Sequence, residues 1–247
     1  MLQSGCLSKY DFGRCSACSG LIFVCVLHAM NTLEFDSLYL EFGLHRVLSS
    51  IHMKCTTGQL VGLLGRNGSG KSCLMRIVLG TMKAESSSVR FNGKALVGDY
   101  IKQQRIAYLP QDDLLPSFVT FSQAVDLYQV DYSKIEKQFP DVKNFIRRKS
   151  SEVSGGQRRF FEALLLVYSS HPFCIMDEPF SGLMPIQVEK LMAILQEEKR
   201  NKGFIITDHL HRSIRSISDY LYVLTNGRTY KISSEEQLLE LGYLSTI

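Results

Sequence analysis

The sequence predicts an α/β fold: a mostly parallel sheet flanked by helices, with an N-terminal antiparallel β subdomain and a small helical insertion. Two observations carry that expectation. Short apolar runs recur along the chain, LVGLL (60–64), IAYLP (106–110), PFCIM (172–176) and FIIT (204–207), as strands buried on both faces do. Stretches of helical period lie between the later runs, and strands that alternate with helices build parallel sheets.

The elements follow in order. From about Thr32, LEFDSLYLEF (33–42) and RVLSSIHMKC (46–55) alternate apolar and polar residues, as half-exposed antiparallel strands do. LVGLL is a central strand. SSVRFNGKAL (87–96) reads as strand, Asn-Gly turn, strand. IAYLP is another buried strand. From about 118 to 152 the composition shifts, and FSQAVDLYQV and YSKIEKQF carry helical spacing without a strand signal. A helix over 155–169, the strand PFCIM and an amphipathic helix over 186–201 ended by Gly203 come next. FIIT, a short helix, two strands and a last helix complete the chain.

Composition narrows the function. The chain has 247 residues, 45% of them apolar, enough for one large core or two small domains. The net charge of +4 is mild, and the Lys and Arg are scattered. That argues against a nucleic-acid partner. No apolar run is long enough to span a bilayer as a helix. Of the seven cysteines, Cys6, Cys15, Cys18 and Cys25 crowd the first tenth. The lone Cys15-x-x-Cys18 lacks a second pair at zinc-site spacing. Cys55, Cys73 and Cys174 read as reduced, buried thiols of a cytosolic chain. Lys9 and Arg14 precede LIFVCVLHAM (21–30), which looks superficially like a signal peptide but lacks a small-x-small cleavage site. Residues 1–29 are expected to be a non-native or disordered extension, with Met30 as the start.

Two stretches are suited to holding an anion. GRNGSGKS (65–72) satisfies the P-loop pattern between a buried strand and a helix. Its glycines let backbone N–H groups approach phosphate oxygens. The helix that starts at Lys71 adds its dipole, Lys71 adds a point charge, and the Ser72 hydroxyl can ligate Mg²⁺. About eighty residues on, VSGGQRRF (153–160) opens a second helix. There Ser154 is an N-cap, and the N–H groups of Gly155 and Gly156 point along the helix axis.

A P-loop needs acid on a neighbouring strand. PFCIMDEP (172–179) supplies it, with Asp177 to hold Mg²⁺ and Glu178 to orient or deprotonate a water. Gln111 follows IAYLP and His209 follows FIIT, so both fall at the same edge of the predicted sheet. A Gln can bridge metal and water, and a His can hydrogen-bond a γ-phosphate. Taken singly, each is more often a solvated loop residue or a helix-start residue.

Together and in this order, these features resemble an ATP-binding cassette (ABC) transporter ATPase subunit, of the P-loop NTPase superfamily. The resemblance covers about 33–232, and SGGQ (154–157) looks like that family's signature motif. It implies a cassette domain over 30–247, with a helical subdomain about 116–170, that binds ATP and Mg²⁺ and hydrolyses ATP. It implies that Phe42 stacks on adenine, although Phe42 reads equally as a strand core residue. Nucleotide contacts would come from Gly65, Asn67, Gly68, Ser69, Gly70, Lys71, Ser72 and Cys73. Ser154, Gly155, Gly156 and Gln157 would reach a second cassette's ATP, because cassettes of this family pair head to tail. Glu178, His209 and Gln111 would be catalytic, and Ser72, Gln111 and Asp177 would hold the metal. The implied partners are a second copy of the chain and separate transmembrane permease subunits, at the cytoplasmic face of a membrane.

EPFSGLMPIQVE and ITDH look most like the ATPases of lipopolysaccharide export and branched-chain amino-acid import. Two positions depart from the family. Val153 stands where Leu is usual. Met184 stands where an Asp normally couples the two sites, which puts that coupling in doubt. A soluble ABC-type ATPase and a low-turnover nucleotide-binding regulator are the alternatives.

Overall fold

The computed structural model describes residues 30–43, 45–96, 104–241 and 243. The expected extension over 1–29 lies outside the described residues, as do its four cysteines. Among the described residues the strands form one ten-stranded sheet, ordered β5-β4-β1-β2-β10-β9-β3-β8-β7-β6.

Its N-terminal part is antiparallel. β1 (Thr32–Phe42) pairs with β2 (His45–Thr56) and, on its other side, with β4 (Ser86–Phe91). In β1 the buried positions run Leu33, Phe35, then Leu38, Leu40. The parity switches because Ser37, at φ 52°, is an extra residue in the ladder between Asp36 and Leu38. Without that bulge the second half of the strand would turn its leucines to solvent. β4 returns to β5 (Lys94–Ala95) through Asn92 and Gly93, both at positive φ, as the Asn-Gly signal predicts.

The rest of the sheet is mostly parallel. β3 (Leu60–Leu64) pairs in parallel with β8 (Gly203–Thr207) and β9 (Tyr220–Thr225). β7 (Phe173–Asp177) lies in parallel between β8 and β6 (Ile106–Leu109). β10 (Arg228–Ile232) runs antiparallel to β9 and meets β2 where Arg228 faces Ser50. Alternate residues of the buried strands face two separate cores. Val61, Leu63, Ile175 and Ile205 pack with α1 (Lys71–Val78) and the antiparallel strands. Leu60, Leu64, Cys174, Met176, Phe204 and Ile206 pack under α4 (Gly155–Val167), α5 (Pro185–Glu198) and α6 (His211–Ile217). Both faces are thus covered, which is why these strands read as continuous apolar runs. The C-terminal helix, α7 (Glu235–Glu240), follows β10.

Two details differ from expectation. Gly203 does not end the helix before it: α5 stops at Glu198, and Gly203 opens β8. Its role is close packing, since a Cβ there would lie 2.6 Å from the Phe173 ring. Cys73 is half-buried rather than buried. Cys55 and Cys174 are buried and free; burial pushes the Cys174 thiol up to about 12, which keeps it protonated and inert.

The helical segment comprises α2 (Phe121–Tyr128), α3 (Tyr132–Gln138) and two short 3₁₀ turns before α4. Thr120 starts α2 with a capping box: its hydroxyl accepts the Gln123 N–H, and the Gln123 side chain accepts the Thr120 N–H. Five phenylalanines tie the segment to α4. Phe121 meets Phe161 edge-on at 4.5 Å and Phe145 at 5.3 Å; Phe139 meets Phe160 at 5.1 Å. Phe161→Ala is expected to lower unfolding stability by about 3–5 kcal/mol. Leu127→Ala, on the exposed face of α2, should change it by less than about 0.5 kcal/mol. Urea denaturation compares the two, and equal shifts would mean that the aromatic cluster is not what holds the segment.

Candidate functional site

The parallel strands end level with one another. Leu109 pairs with Met176, Met176 with Ile206, and Asp177 with Thr207. The segments that leave β3, β6, β7 and β8 therefore emerge together at one edge, where α/β sheets bind ligands.

After β3 the chain wraps through Gly65–Gly70 into α1. Gly70, the N-cap, sits at φ 100°. No side chain takes that conformation easily, and a Cβ there would lie 2.9 Å from Val47. Lys71 folds its ammonium back into the loop, donating to the carbonyls of Gly65 at 2.7 Å and Arg66 at 3.2 Å. Burial pushes its pKa down, and Asp177 and Glu178 oppose that shift. The Ser69 hydroxyl is buried without a partner among the described residues. A glycine-rich loop holding an orphaned hydroxyl and a desolvated ammonium is what an anion would satisfy.

At the end of β7, Asp177 is 1% exposed. It accepts a 2.7 Å hydrogen bond from the Ser72 hydroxyl across 105 positions of sequence. Burial raises its pKa, with Ser72 and Lys71 pulling the other way. No group of three or more His, Cys, Asp or Glu able to hold a metal occurs among the described residues. One carboxylate and one hydroxyl are a partial, hard-oxygen donor set. That suits Mg²⁺, which keeps waters and shares phosphate oxygens, better than it suits zinc.

Glu178 has left the strand and is left-handed, at φ 55°. Its N–H donates to the Thr207 carbonyl at 2.7 Å, and its Oε1 lies 2.7 Å from His209 Nε2. Asp208 sets this pairing up. It is buried, and its two oxygens accept the N–H groups of Phe180 and Leu210, each at 2.9 Å. The turn after Glu178 and the turn carrying His209 are thus tied to one carboxylate.

These parts line one cavity of about 500 Å³: Phe42, Asn67–Cys73, Gln111, Glu178 and His209 all border it. Phe42 is 56% exposed, so it is not a core residue; it stands at the cavity mouth. His45 and Val47 border the cavity as well. Sequence reasoning does not single them out, because alternation along β2 marks its buried face and not the residues that border a cavity at its end. It also misses Asp208, an acid inside the TDH turn, and Tyr243, whose hydroxyl accepts the Gly65 N–H.

Ser154–Gln157 do not border the cavity. Ser154 caps α4, accepting the Gln157 N–H at 3.3 Å, and Ser154 and Gly155 are exposed. Gly156 packs against the segment that follows Glu178, where a Cβ would lie 2.6 Å from the Gly182 carbonyl. Met184, 59% exposed, is the N-cap of α5 without a side-chain bond; Gln187 Oε1 instead accepts the Met184 N–H at 3.0 Å.

Comparison with known proteins places this arrangement. Residues 48–181 match the family profile described as ABC transporter. The branched-chain amino acid transport ATP-binding protein BraG of Pseudomonas aeruginosa is 29% identical over 211 residues, 79% of this chain and 90% of BraG. The lipopolysaccharide export ATP-binding protein LptB of Acidithiobacillus ferridurans is 26% identical over 225 residues, 84% of this chain and 92% of LptB. Among solved structures, the ATP-binding subunit of an ABC transporter superposes with a TM-score of 0.73 at 23% identity, over 85% of this chain and 93% of that one. A bacterial Atm1-family exporter with ATP bound also gives 0.73, at 16% identity, over 85% of this chain and 40% of the exporter. With the P-loop, the acid pair and the SGGQ helix in that family's order, the chain belongs to the ABC transporter family and is one of its ATP-hydrolysing cassettes.

Proposed function

We propose that the chain powers a transporter built with separate membrane subunits, and that two copies hydrolyse ATP in a head-to-tail sandwich. One observation carries this reading. The cavity unites Phe42, the P-loop, Gln111, Glu178 and His209, while Ser154–Gln157 do not border it and Ser154 and Gly155 are exposed. Each half-site is incomplete within one chain, and a second copy in reverse orientation would complete both.

In this reading Phe42 stacks on adenine and the P-loop N–H groups hold the phosphates. Lys71 moves its donors from loop carbonyls to phosphate oxygens. Ser72, Gln111 and Asp177 would hold Mg²⁺, which when bound would supply positive charge against the phosphates. Glu178 takes the proton of the attacking water, and His209 fixes its carboxylate. The second copy's Ser154 hydroxyl and Gly155 and Gly156 N–H groups close over the γ-phosphate. Hydrolysis removes the anion that joins the two surfaces, and the copies part. The described residues contain no helix long and apolar enough to cross a membrane, so the transmembrane path would belong to partner chains at the cytoplasmic face. The names of BraG and LptB support a transport role without fixing the cargo. A low-turnover regulator is the second reading, favoured by the exposed Met184 in place of an acid.

Three outcomes test this reading. Lys71→Ala should weaken ATP binding at least tenfold, as loss of a charge-assisted hydrogen bond worth about 1.5–3 kcal/mol implies; equilibrium titration reads it. Glu178→Gln should lower kcat by about 10²–10⁴ while ATP still binds. On a sizing column that variant should run as a dimer with ATP and Mg²⁺ and as a monomer without, and a monomer in both states counts against the sandwich. A parent chain that binds ATP without turnover would favour the regulator.

A further inference from the structure

The segment that carries Gln111 is fastened to α4, and past Leu114 also to the Ser150 hydroxyl, which donates to the carbonyls of Leu115 and Pro116. Arg159 Nη1 donates to the carbonyls on either side of Gln111, those of Pro110 at 2.7 Å and Asp112 at 3.5 Å. Glu162 Oε1 accepts the N–H groups of Leu114 at 3.1 Å and Leu115 at 3.0 Å. Arg158 pairs with Asp113 at 2.8 Å. All three charged residues belong to α4, the helix capped by Ser154.

The same guanidinium also reaches the acid pair. Arg159 Nη2 donates to the carbonyls of Asp177 at 2.5 Å and Glu178 at 2.9 Å. It therefore grips the backbone of Glu178 at its left-handed turn, a conformation that persists only when its surroundings hold it. Arg159 is 7% exposed and Glu162 0%, and their charges stand 4.0 Å apart one turn along the helix. Core stability is a poor reason for this arrangement, because well-packed apolar residues serve a core as well as a buried ion pair does. The rigid fork of an Arg does serve to hold several carbonyls at once. Arg159 Nε and Glu162 Oε2 have no hydrogen-bond partner among the described residues. Both atoms belong to α4, so a turn of either side chain can pair them, and the contact has room for a second arrangement.

We propose that Arg159, backed by Glu162, is a positioning residue that couples the Ser154 end of α4 to Glu178 and to the Gln111 segment. When that end meets a second copy's nucleotide, the shift passes through one guanidinium to both places. The inference rests on the sandwich reading and on Glu178 as the general base.

The test uses the full chain as parent, Arg159→Met, Glu162→Gln and Glu178→Gln. Turnover and ATP affinity are read beside hydrogen exchange of peptides spanning 65–73 and 110–117, with and without ATP and Mg²⁺. In the parent, ATP should slow exchange in both peptides. Arg159→Met should lower kcat at least tenfold and keep the ATP Kd within twofold. It should preserve the response of 65–73 and lose that of 110–117. Added to Glu178→Gln, it should cause no further loss, because it acts through that residue. Should Arg159→Met fail to fold, Glu162→Gln, which keeps volume and an acceptor oxygen, is expected to show the same split.

Losses that multiply in the double variant overturn the proposal, as do parent-like turnover and exchange in the single variants or a parent without an ATP response at 110–117. In those cases the role of Glu178 still stands on its own variant. A parent that shows the coupled exchange but no turnover ends the hydrolytic reading and leaves the coupling in place.

Discussion

A parallel sheet covered on both faces leaves a chain one place to put polar groups that must act together: beyond the strand ends. β3, β6, β7 and β8 are buried and in register, so their C-terminal ends lie level. Each exit is then within reach of its neighbour. The Ser72 hydroxyl meets Asp177, Glu178 meets His209, and Asp208 ties the last two turns together. These contacts join residues far apart in sequence, and all depend on the register of the same strands. A slip of one residue would turn every side chain of a strand to the opposite core and separate the acid from the hydroxyl.

The same edge explains the electrostatics. Lys71 and Asp177 are desolvated, which pushes each toward its neutral form, and each lies near enough to oppose the other's shift. An isolated charge buried this deeply would be costly. Here the ammonium is held by loop carbonyls and the carboxylate by a hydroxyl. Exchanging those internal bonds for phosphate and metal contacts costs little new desolvation. Preorganisation of this kind makes a polar site effective.

How much of this was legible varied with the range of the interaction. The P-loop, the acid pair and the cap at Ser154 are local patterns: a few adjacent residues dictate a turn, a strand end or a helix start. They were found in sequence and lie where expected along the fold. Phe42 was ambiguous because an aromatic in an alternating strand suits a core or a surface equally; its exposure decides between them. Asp208, Arg159 and Glu162 were missed. The Arg and Glu inside RRFFEALLLV are unusual on a helix buried nearly all round, which is a signal, but it names no partner. The Ser37 bulge gave no cue beyond the change of parity it repairs.

The sequence by itself determined the elements, their order, the α/β class and the residue types that a phosphate and a metal require, because hydrophobic period and turn chemistry act over a few residues. Only the tertiary structure decided which of those residues share a cavity and that the SGGQ helix start does not border it. It also decided that one buried arginine joins the Gln111 segment to Glu178. Those facts depend on strand register and on the packing of α4 across the sheet, and contacts between positions many tens of residues apart leave no periodic trace in the chain.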